Sequence, residues 1–378
     1  MIVGQWAGQG PASDAVITFP NVTRPDVLLV FGPRHVLEDG GWGPRLGEAW
    51  PGAEIIGCST AGEITAAGAH EEHVVVTALE LEGSVARLAV RDLELDADHA
   101  ETGRWLAHAL AGPALRVVLV FADGLRTQGQ HLVDGLSGGL APEVVISGGL
   151  AGDGRDFGRT GVLTRAGLLG HHVVALGLYG EGLVARCASA SGWSPFGLER
   201  VVTRSAGHIV QEIDGVRALD IYSRYLGEEA AGLPGAGLVY PIAVVAGGGG
   251  IIRSLSAIDR ETGALTFFGE VPTGSRIRLM HASNGELIDG AAAAGAGAAF
   301  PDGRAPGLAL LFSCVGRKAV LGGATDLEIE AVTQALPPGV PVAGFHTYGE
   351  IGGGGATGRC EHHNQTMTVA WLAEEPRS

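Results

Sequence analysis

The sequence predicts an α/β protein of two related domains, built from repeated strand-helix-strand units with mixed sheets flanked by helices. A turn motif occurs twice, as PGAEIIGCSTAGEI at 51–64 and PGVPVAGFHTYGEI at 338–351, with seven of 14 positions identical and no gap. An apolar strand and a helical segment precede each copy, which indicates a fold made by duplication. The chain of 378 residues is also longer than a domain with a single hydrophobic core ordinarily is.

The first unit begins with the apolar run VLLVF at 27–31. Such a run of β-forming residues is typical of a strand that is buried on both faces. After the turn motif, the runs HVVVTAL and ARLAVR predict two more strands, and residues 98–110 predict a helix. The first repeat therefore extends from residue 25 to residue 64, and a pair of strands follows it in the sequence.

A third, degraded copy of the unit lies between the two motifs. It starts with VVLVF at 117–121, and Thr127 and Gln130 have the spacing of a capping box before an apolar helical stripe. The segment then leads into GGLAGDG, and strands are predicted near 161–164 and 173–179.

The last unit repeats this order near the carboxyl end of the chain. LALLF at 308–312 predicts a buried strand, and Thr325 and Glu328 predict a capping box for a helix that ends at Pro337. Between the middle and last units, residues 216–226 predict a helix and residues 227–237 are acidic and rich in Pro and Gly. A linker of that composition predicts domains at 1–235 and 236–378.

Charge and composition exclude several classes of function. The formal net charge is −16 and Lys and Arg are not clustered, which argues against nucleic-acid grooves and anionic membrane surfaces. No apolar window is as long as a membrane span, and the amino terminus does not resemble a secretory signal. The four cysteines are widely spaced, which indicates reduced thiols and not a disulfide framework. These features predict a soluble, cytoplasmic protein.

The repeated turn offers groups that suit a binding site. Thr60 with Glu63, and Thr347 with Glu350, place a hydroxyl and a carboxylate between glycines that let the backbone approach a ligand. Both carboxylates are expected to line one cleft, where either could hold an ammonium group. The alternative is that each carboxylate caps turn amides or pairs with an arginine. The sequence alone leaves both interpretations open.

Several motifs in a fixed order resemble the FIST family, with its N-terminal and C-terminal domains. They are CSTAGEI, GGLAGDG, SGWSPFG, the segment from VVTRSAGHIV to DIYSRYLG, LFSCVGR, GFHTYGEIG and HHNQTMTV. The resemblance covers residues 25–372. It implies a stand-alone prokaryotic sensor that binds a small ligand and regulates a signalling enzyme in trans, such as a histidine kinase or a cyclic-di-GMP enzyme. A homo-oligomer is a further expectation.

The candidate ligand-binding residues come from these motifs, apart from Arg253, which follows the glycine run at 247–250. They are Thr60, Glu63, Asp153, Trp193, Arg253, Cys314, Arg317, Thr347, Tyr348, Glu350 and Asn364. The first ligand hypothesis is a small polar, amino-acid-like metabolite, whose ammonium would meet Glu63 or Glu350 and whose carboxylate would meet an arginine. No metal site of ordinary ligand spacing is expected.

Two other functions remain as alternatives. One branch of the FIST family resembles a haem-binding nitric oxide sensor, and that branch implies non-covalent haem b on a histidine axial ligand. The candidates are His363, His346 and His362, of which His363 matches the family motif and His346 departs from it. The other alternative is a cysteine-dependent hydrolase with Cys314 as the nucleophile, which would also need a histidine and an oxyanion site. A non-catalytic sensor is the preferred prediction.

Overall fold

The computed structural model describes residues 1–95, 98–246, 249–304, 306–353 and 359–375. Within these ranges, mixed sheets are flanked by helices, which confirms the predicted α/β class. None of the helices in these ranges is both long enough and apolar enough to pass through a lipid bilayer.

The chain up to residue 110 forms the first repeat and its neighbouring strands. The elements are β1 (Ile2–Gly8), β2 (Val27–Gly32), α1 (Arg34–Asp39), α2 (Trp42–Ala49), β3 (Glu54–Ser59), β4 (Glu63–Thr65), β5 (Gly68–His70), β6 (Val74–Glu80), β7 (Val85–Asp92) and α3 (His99–Leu110). Every residue of β2 is buried, as its apolar sequence predicts. Helix α2 packs Trp42 and Leu46 against the outer face of the first sheet, where both side chains are fully buried.

The second repeat follows directly. It consists of β8 (Leu115–Ala122), α4 (Gly129–Gly138), β9 (Val145–Leu150), β10 (Val162–Thr164), β11 (Gly167–Leu169), β12 (His172–Tyr179) and β13 (Leu183–Ala190). It has the same order of strands as the first repeat, with α4 in place of α1 and α2, so the middle copy retains the fold although its turn has lost the Thr and Glu of the motif.

A separate sheet is inserted between the second and third repeats, and we call it the inserted sheet. The segment comprises β14 (Ser194–Ala206), β15 (Ile209–Ile213), β16 (Val216–Arg217), α5 (Ala218–Leu226), β17 (Ile242–Ala246), β18 (Gly249–Arg253), β19 (Leu255–Ile258), β20 (Leu265–Phe267), β21 (Arg276–His281) and α6 (Asn284–Ala298). The strand order is β18-β17-β21-β14-β15-β20-β19, with β16 on β15. The sequence predicts a helix that starts at Val216. In the structure α5 starts at Ala218, because Val216 pairs with Ile213 as part of β16.

The third repeat completes the chain. Its elements are β22 (Leu308–Cys314), α7 (Val315–Leu321), α8 (Thr325–Thr333), β23 (Val342–Thr347), β24 (Gly349–Gly352), β25 (Glu361–His363) and β26 (Met367–Glu374). Short 3₁₀ turns occur elsewhere at Ala12–Asp14, Leu93–Leu95, Gly227–Gly232, Gly235–Leu238 and Gly322–Ala324.

The three repeats close into a ring. Each repeat contributes two parallel strands and one antiparallel strand to its own sheet, and sends a hairpin to the sheet of another repeat. The three sheets are β1-β6-β2-β3-β10-β11, β7-β12-β8-β9-β24-β25 and β13-β26-β22-β23-β4-β5. Strand β1 therefore occupies in the first sheet the position that β7 and β13 occupy in the others. The two turn motifs lie where these hairpins cross between sheets.

One glycine recurs at the same place in every repeat. A Cβ added at these positions would lie 1.8–1.9 Å from a carbonyl oxygen of the neighbouring parallel strand. The pairs are Gly57 with Val30, Gly148 with Val120, and Gly344 with Leu311. A side chain cannot fit there, so close approach of the two backbones requires glycine.

Phenylalanine side chains from all three repeats meet at the centre of the ring. Phe31, Phe121, Phe312 and Phe345 are fully buried, with ring centroids 4.8–6.0 Å apart in the five contacting pairs. Burial of each such ring contributes about 1.5–3 kcal/mol, and tilted pairs add to it. This cluster fixes the ends of β2, β8 and β22 relative to one another.

Two sequence predictions about helix starts are wrong. Helix α8 begins at Thr325, whose hydroxyl donates to the Gly322 carbonyl, and the Glu328 side chain is buried instead of capping the amides. The helix of the second repeat starts at Gly129 with no side-chain cap, and Gln130 donates to Asp134. In the first case a buried arginine offers Glu328 a stronger partner than a turn amide does.

The predicted domain boundary after residue 235 stays a prediction. Strands from both sides of it share sheets, because β24 pairs with β9, β26 pairs with β13, and β23 pairs with β4.

Candidate functional site

A cavity of about 620 Å³ opens beside the first turn motif, and we call it cavity A. It is bounded by residues 33–35, 60–63, 71–72, 153–156, 315, 318–319 and 322. All three repeats contribute to it, since Thr60 belongs to the first, Asp153 to the second and Lys318 to the third. The volume is in the range of small-molecule sites.

Glu63 lies at the base of cavity A with one carboxylate oxygen unoccupied. Its Oε1 accepts from the Thr60 hydroxyl at 2.5 Å, whereas Oε2 has no hydrogen-bond partner among the described residues. The residue is only 1% exposed, and this burial raises its pKa to about 7, against the smaller lowering effects of Thr60, backbone amides and Lys318. A buried carboxylate with a free oxygen is able to accept from a ligand donor.

Lys318 brings a positive charge to the same wall. Its Nζ donates to the Ala61 carbonyl at 2.8 Å and lies 3.0 Å from Glu71 Oε1. Gly62 has a φ of +126°, which favours glycine, and a Cβ there would lie 2.5 Å from Nζ, so a side chain at this position would displace the lysine. Sequence reasoning missed Lys318 and chose the preceding residue, Arg317. Successive residues of a helix point about 100° apart, and Arg317 points into the interior, where it pairs with Glu328.

Asp153 holds a loop at the edge of cavity A. Its Oδ1 accepts from the Tyr348 hydroxyl and the Phe157 amide, and its Oδ2 accepts from the amides of Gly158 and Arg159 at 2.8 and 2.7 Å. Tyr348 also stacks on Phe157, with ring centroids 4.6 Å apart. Burial and Asp153 raise the pKa of Tyr348 above its ordinary value. Asp153 therefore orders the loop 153–159, and its oxygens are already occupied.

The second turn motif has the same internal geometry but a different environment. The Thr347 hydroxyl donates to Glu350 Oε1 at 2.5 Å, as Thr60 does to Glu63. Here Oε2 accepts from both the amide and the hydroxyl of Thr366, at 3.1 and 2.8 Å. Glu350 is fully buried and does not line cavity A. The prediction that both carboxylates line one cleft is wrong, because the chain after β25 covers the second one.

Arg317 is fully buried in a network of its own. It forms an ion pair with Glu328 at 2.9 Å and donates to the carbonyls of Ser191 and Leu287. The Ser313 hydroxyl donates to the other oxygen of Glu328 at 2.7 Å. Although burial raises the pKa of Glu328, Arg317 and these hydrogen bonds lower it overall. Arg317 thus joins the third repeat to the inserted segment, and does not face cavity A.

The remaining candidates lie away from cavity A. Trp193 packs in a separate apolar cluster with Ile252 and Leu287. Arg253 is 3% exposed and donates to the His362 carbonyl at 3.1 Å; burial lowers its pKa to about 10. Asn364 is buried, and neither its amide nitrogen nor its oxygen has a hydrogen-bond partner among the described residues.

The Cys314 thiol is also buried away from cavity A. Burial, followed by the Glu350 charge, raises its pKa well above the ordinary value. A cysteine nucleophile requires the opposite shift, toward the thiolate.

The three candidate haem ligands are all buried, and none of them lines cavity A. His346 is fully buried, with Nε2 3.8 Å from Glu328, and His363 Nε2 lies 3.3 Å from the Gly352 carbonyl oxygen. A Cβ on Gly349 would lie 2.2 Å from Nε2 of His362, which is about the length of a metal–imidazole bond. The backbone of Gly349 therefore closes that position, and these residues do not fit haem.

Family models match most of the chain. The FIST N domain matches residues 26–216, and the FIST C domain matches residues 218–353. No curated protein matches the chain. Together the two models cover both turn motifs and the walls of cavity A. The chain belongs to the FIST family, whose domains are small-ligand sensors in signalling proteins.

Proposed function

We propose that the chain is a non-catalytic sensor that binds a small amino-acid-like zwitterion in cavity A and regulates a partner signalling enzyme. The observation that carries this proposal is the unoccupied Oε2 of Glu63 at the base of the cavity. Five carboxylate residues and three Lys or Arg residues line cavity A, so both ends of a zwitterion would find an opposite charge.

The ammonium group would bind Glu63. A primary ammonium carries three donors, and Glu63 Oε2 offers an acceptor that no described residue uses. Binding of a cation beside a carboxylate favours the ionised carboxylate, so the ligand would lower the pKa of Glu63 from about 7.

The ligand carboxylate would bind Arg155 at the rim. Arg155 lies on the exposed loop 153–159, and it has no ion-pair partner among the residues that the structure describes. Its guanidinium can form two parallel hydrogen bonds with a carboxylate. A ligand held between Glu63 and Arg155 would therefore restrain this loop over the cavity.

The signal would follow from a difference in affinity between two states of that loop. A ligand shifts an equilibrium only as far as it prefers one state. We propose that the partner is a histidine kinase or a cyclic-di-GMP enzyme and that both proteins are cytoplasmic. For a kinase partner, the autophosphorylation rate should change when this chain and the ligand are added together. Addition of the ligand alone should leave that rate unchanged.

Neither alternative function gains support from these contacts. The raised pKa of the Cys314 thiol opposes nucleophilic catalysis, and Gly349 blocks an axial ligand at His362. A hydrolase would instead require turnover of model esters that a Cys314→Ala variant loses. A haem sensor would require a Soret band after titration with haem.

The two turn motifs supply a matched pair of variants for the test. Amino acids are first screened by thermal shift, and the strongest stabiliser is then measured by titration calorimetry. Glu63→Gln is expected to weaken binding at least about tenfold, which corresponds to about 1.4 kcal/mol. Glu350→Gln removes the equivalent charge away from cavity A and should leave the affinity unchanged. No stabilisation by any amino acid, or equal losses in both variants, would contradict the proposal.

A further inference from the structure

A second cavity of about 440 Å³ lies between the ring and the inserted sheet, and we call it cavity B. The start of α4 forms one side, the inserted sheet contributes Phe268 and Glu270, and the third repeat contributes Tyr348 and His362. The loop 153–159 connects the two cavities indirectly, since its residues 153–156 line cavity A and its Phe157 contacts Tyr348 and Phe268 of cavity B.

The amino-terminal end of α4 opens into cavity B without a cap. This helix has ten residues, and its N-cap Gln128 makes no side-chain cap. The Gln128 amide donates to His99, but the amides of Gly129, Gln130 and His131 have no acceptor among the described residues. Unpaired amides at the positive end of a helix dipole favour an anion.

His362 is an independent sign of a missing ligand. It is only 4% exposed and lines cavity B, yet neither ring nitrogen has a hydrogen-bond partner among the described residues. Gly349 packs beside Nε2, whereas Gly129 at the start of α4 packs against the ring near Nδ1, so Nδ1 is the nitrogen beside the uncapped amides. Burial, with the charge of Arg253, lowers the pKa of His362 well below its ordinary value, so the neutral ring can donate one hydrogen bond.

A nearby hydroxyl is also unsatisfied. The Thr127 Oγ1 is buried at the edge of cavity B and has no partner in the described part of the chain. Buried hydroxyls and imidazoles are paired in most proteins, and each unpaired group costs about 1–3 kcal/mol. A ligand oxygen near α4 would satisfy this hydroxyl together with the helix amides and His362.

The other walls include an apolar surface that suits the body of an aromatic ligand. Leu125, Leu150, Phe268 and Tyr348 present carbon surface to cavity B. The one carboxylate in the lining, Glu270, lies 3.3 Å from His131 Nε2 and so already has a partner. Cavity B therefore combines donors for an anion at one end with aromatic surface elsewhere.

We infer that cavity B binds a small aromatic carboxylic acid, with its carboxylate at the start of α4 and beside His362. This site is separate from cavity A and does not depend on the function proposed for it. Because Phe157 of the loop 153–159 contacts Tyr348 and Phe268, which line cavity B, occupation of cavity B would act on the same loop as the zwitterion.

Three probes of one shape test the inference by titration calorimetry on the intact chain. Phenylacetate is expected to bind, phenylacetamide to bind at least about tenfold more weakly, and phenethylamine not to bind, because only the first carries an anion. Equal binding of phenylacetate and phenylacetamide, or no binding of phenylacetate, would overturn the inference.

Variants and amide shifts locate the site. His362→Phe keeps the ring but removes both nitrogens, and should weaken phenylacetate about tenfold. Glu63→Gln, in cavity A, should leave its affinity unchanged. If His362→Phe does not fold, the wild-type chain still tests the inference by NMR, because phenylacetate should shift the amide resonances of residues 129–131. Shifts confined to residues 60–63 would overturn the inference.

Discussion

The two turn motifs of this chain have the same local structure and different chemistry. In both, a threonine hydroxyl donates at 2.5 Å to a glutamate three residues later, and burial raises the pKa of that glutamate to about 7. The second oxygen of Glu63, a residue that lines cavity A, has no hydrogen-bond partner among the described residues, whereas that of Glu350 is bound by Thr366. The comparison shows that the segment covering a duplicated turn decides whether the second carboxylate oxygen is bound or left without a partner.

The largest effect is expected from removing the arginine that joins the third repeat to the inserted segment. Arg317→Met leaves Glu328 as a buried charge without its partner, and should lower the free energy of unfolding by about 3–5 kcal/mol. Urea unfolding measures this loss.

The double variant Arg317→Met with Glu328→Met is the control. It removes both charges and should recover part of the loss. If the single variant were as stable as the wild type, the network would not hold the inserted segment against the third repeat.

The next effect separates the two glutamates by stability. Glu350→Gln places an amide where two donors from Thr366 need an acceptor, and should cost about 1–3 kcal/mol. Glu63→Gln affects an oxygen without a partner and should cost less than about 1 kcal/mol. Urea unfolding of both variants makes the comparison, and equal losses would show that the two turns are equally covered.

The sequence predicted the turns but not what surrounds them. Motif identity and apolar runs located β2, β8 and β22, because buried parallel strands leave a strong local pattern. Closure of the ring depends on hairpins that pair with strands far away in sequence, as β4 does with β23, and no local pattern encodes that partner. Glu328 was similarly misassigned, because its arginine partner is known only from the fold.

The pH dependence of ligand binding should also distinguish the turns. With a pKa of about 7, Glu63 changes from mostly protonated at pH 6 to mostly ionised at pH 8. Affinity for a ligand ammonium should therefore rise about tenfold over this interval, or about 1.4 kcal/mol, with release of a proton. Calorimetry in buffers of different ionisation enthalpy measures that proton, and Glu63→Gln should abolish its release.

The same raised pKa affects folding with the opposite sign. A carboxyl with a pKa of 4.5 in the unfolded chain and about 7 in the folded protein binds more protons when folded between these values. Its contribution to stability is present below pH 4.5 and is lost as the pH rises to 7. Without ligand, wild type should therefore lose more stability across this window than Glu63→Gln does.

The smallest effect concerns the residue that differs most between the two turns. Ala61 in the first turn has its counterpart in Tyr348, whose hydroxyl reaches Asp153 across the ring. Tyr348→Phe removes a hydroxyl that donates to the Asp153 carboxylate and the Gly154 carbonyl and accepts from the Asp153 amide, while the carboxylate keeps three backbone amides, so we expect a loss of about 1 kcal/mol. Faster amide hydrogen exchange at residues 157–159 should accompany it, because those amides share the Asp153 carboxylate. Unchanged exchange there would mean that the backbone amides alone hold this loop, and that the second turn does not act on cavity A through Tyr348.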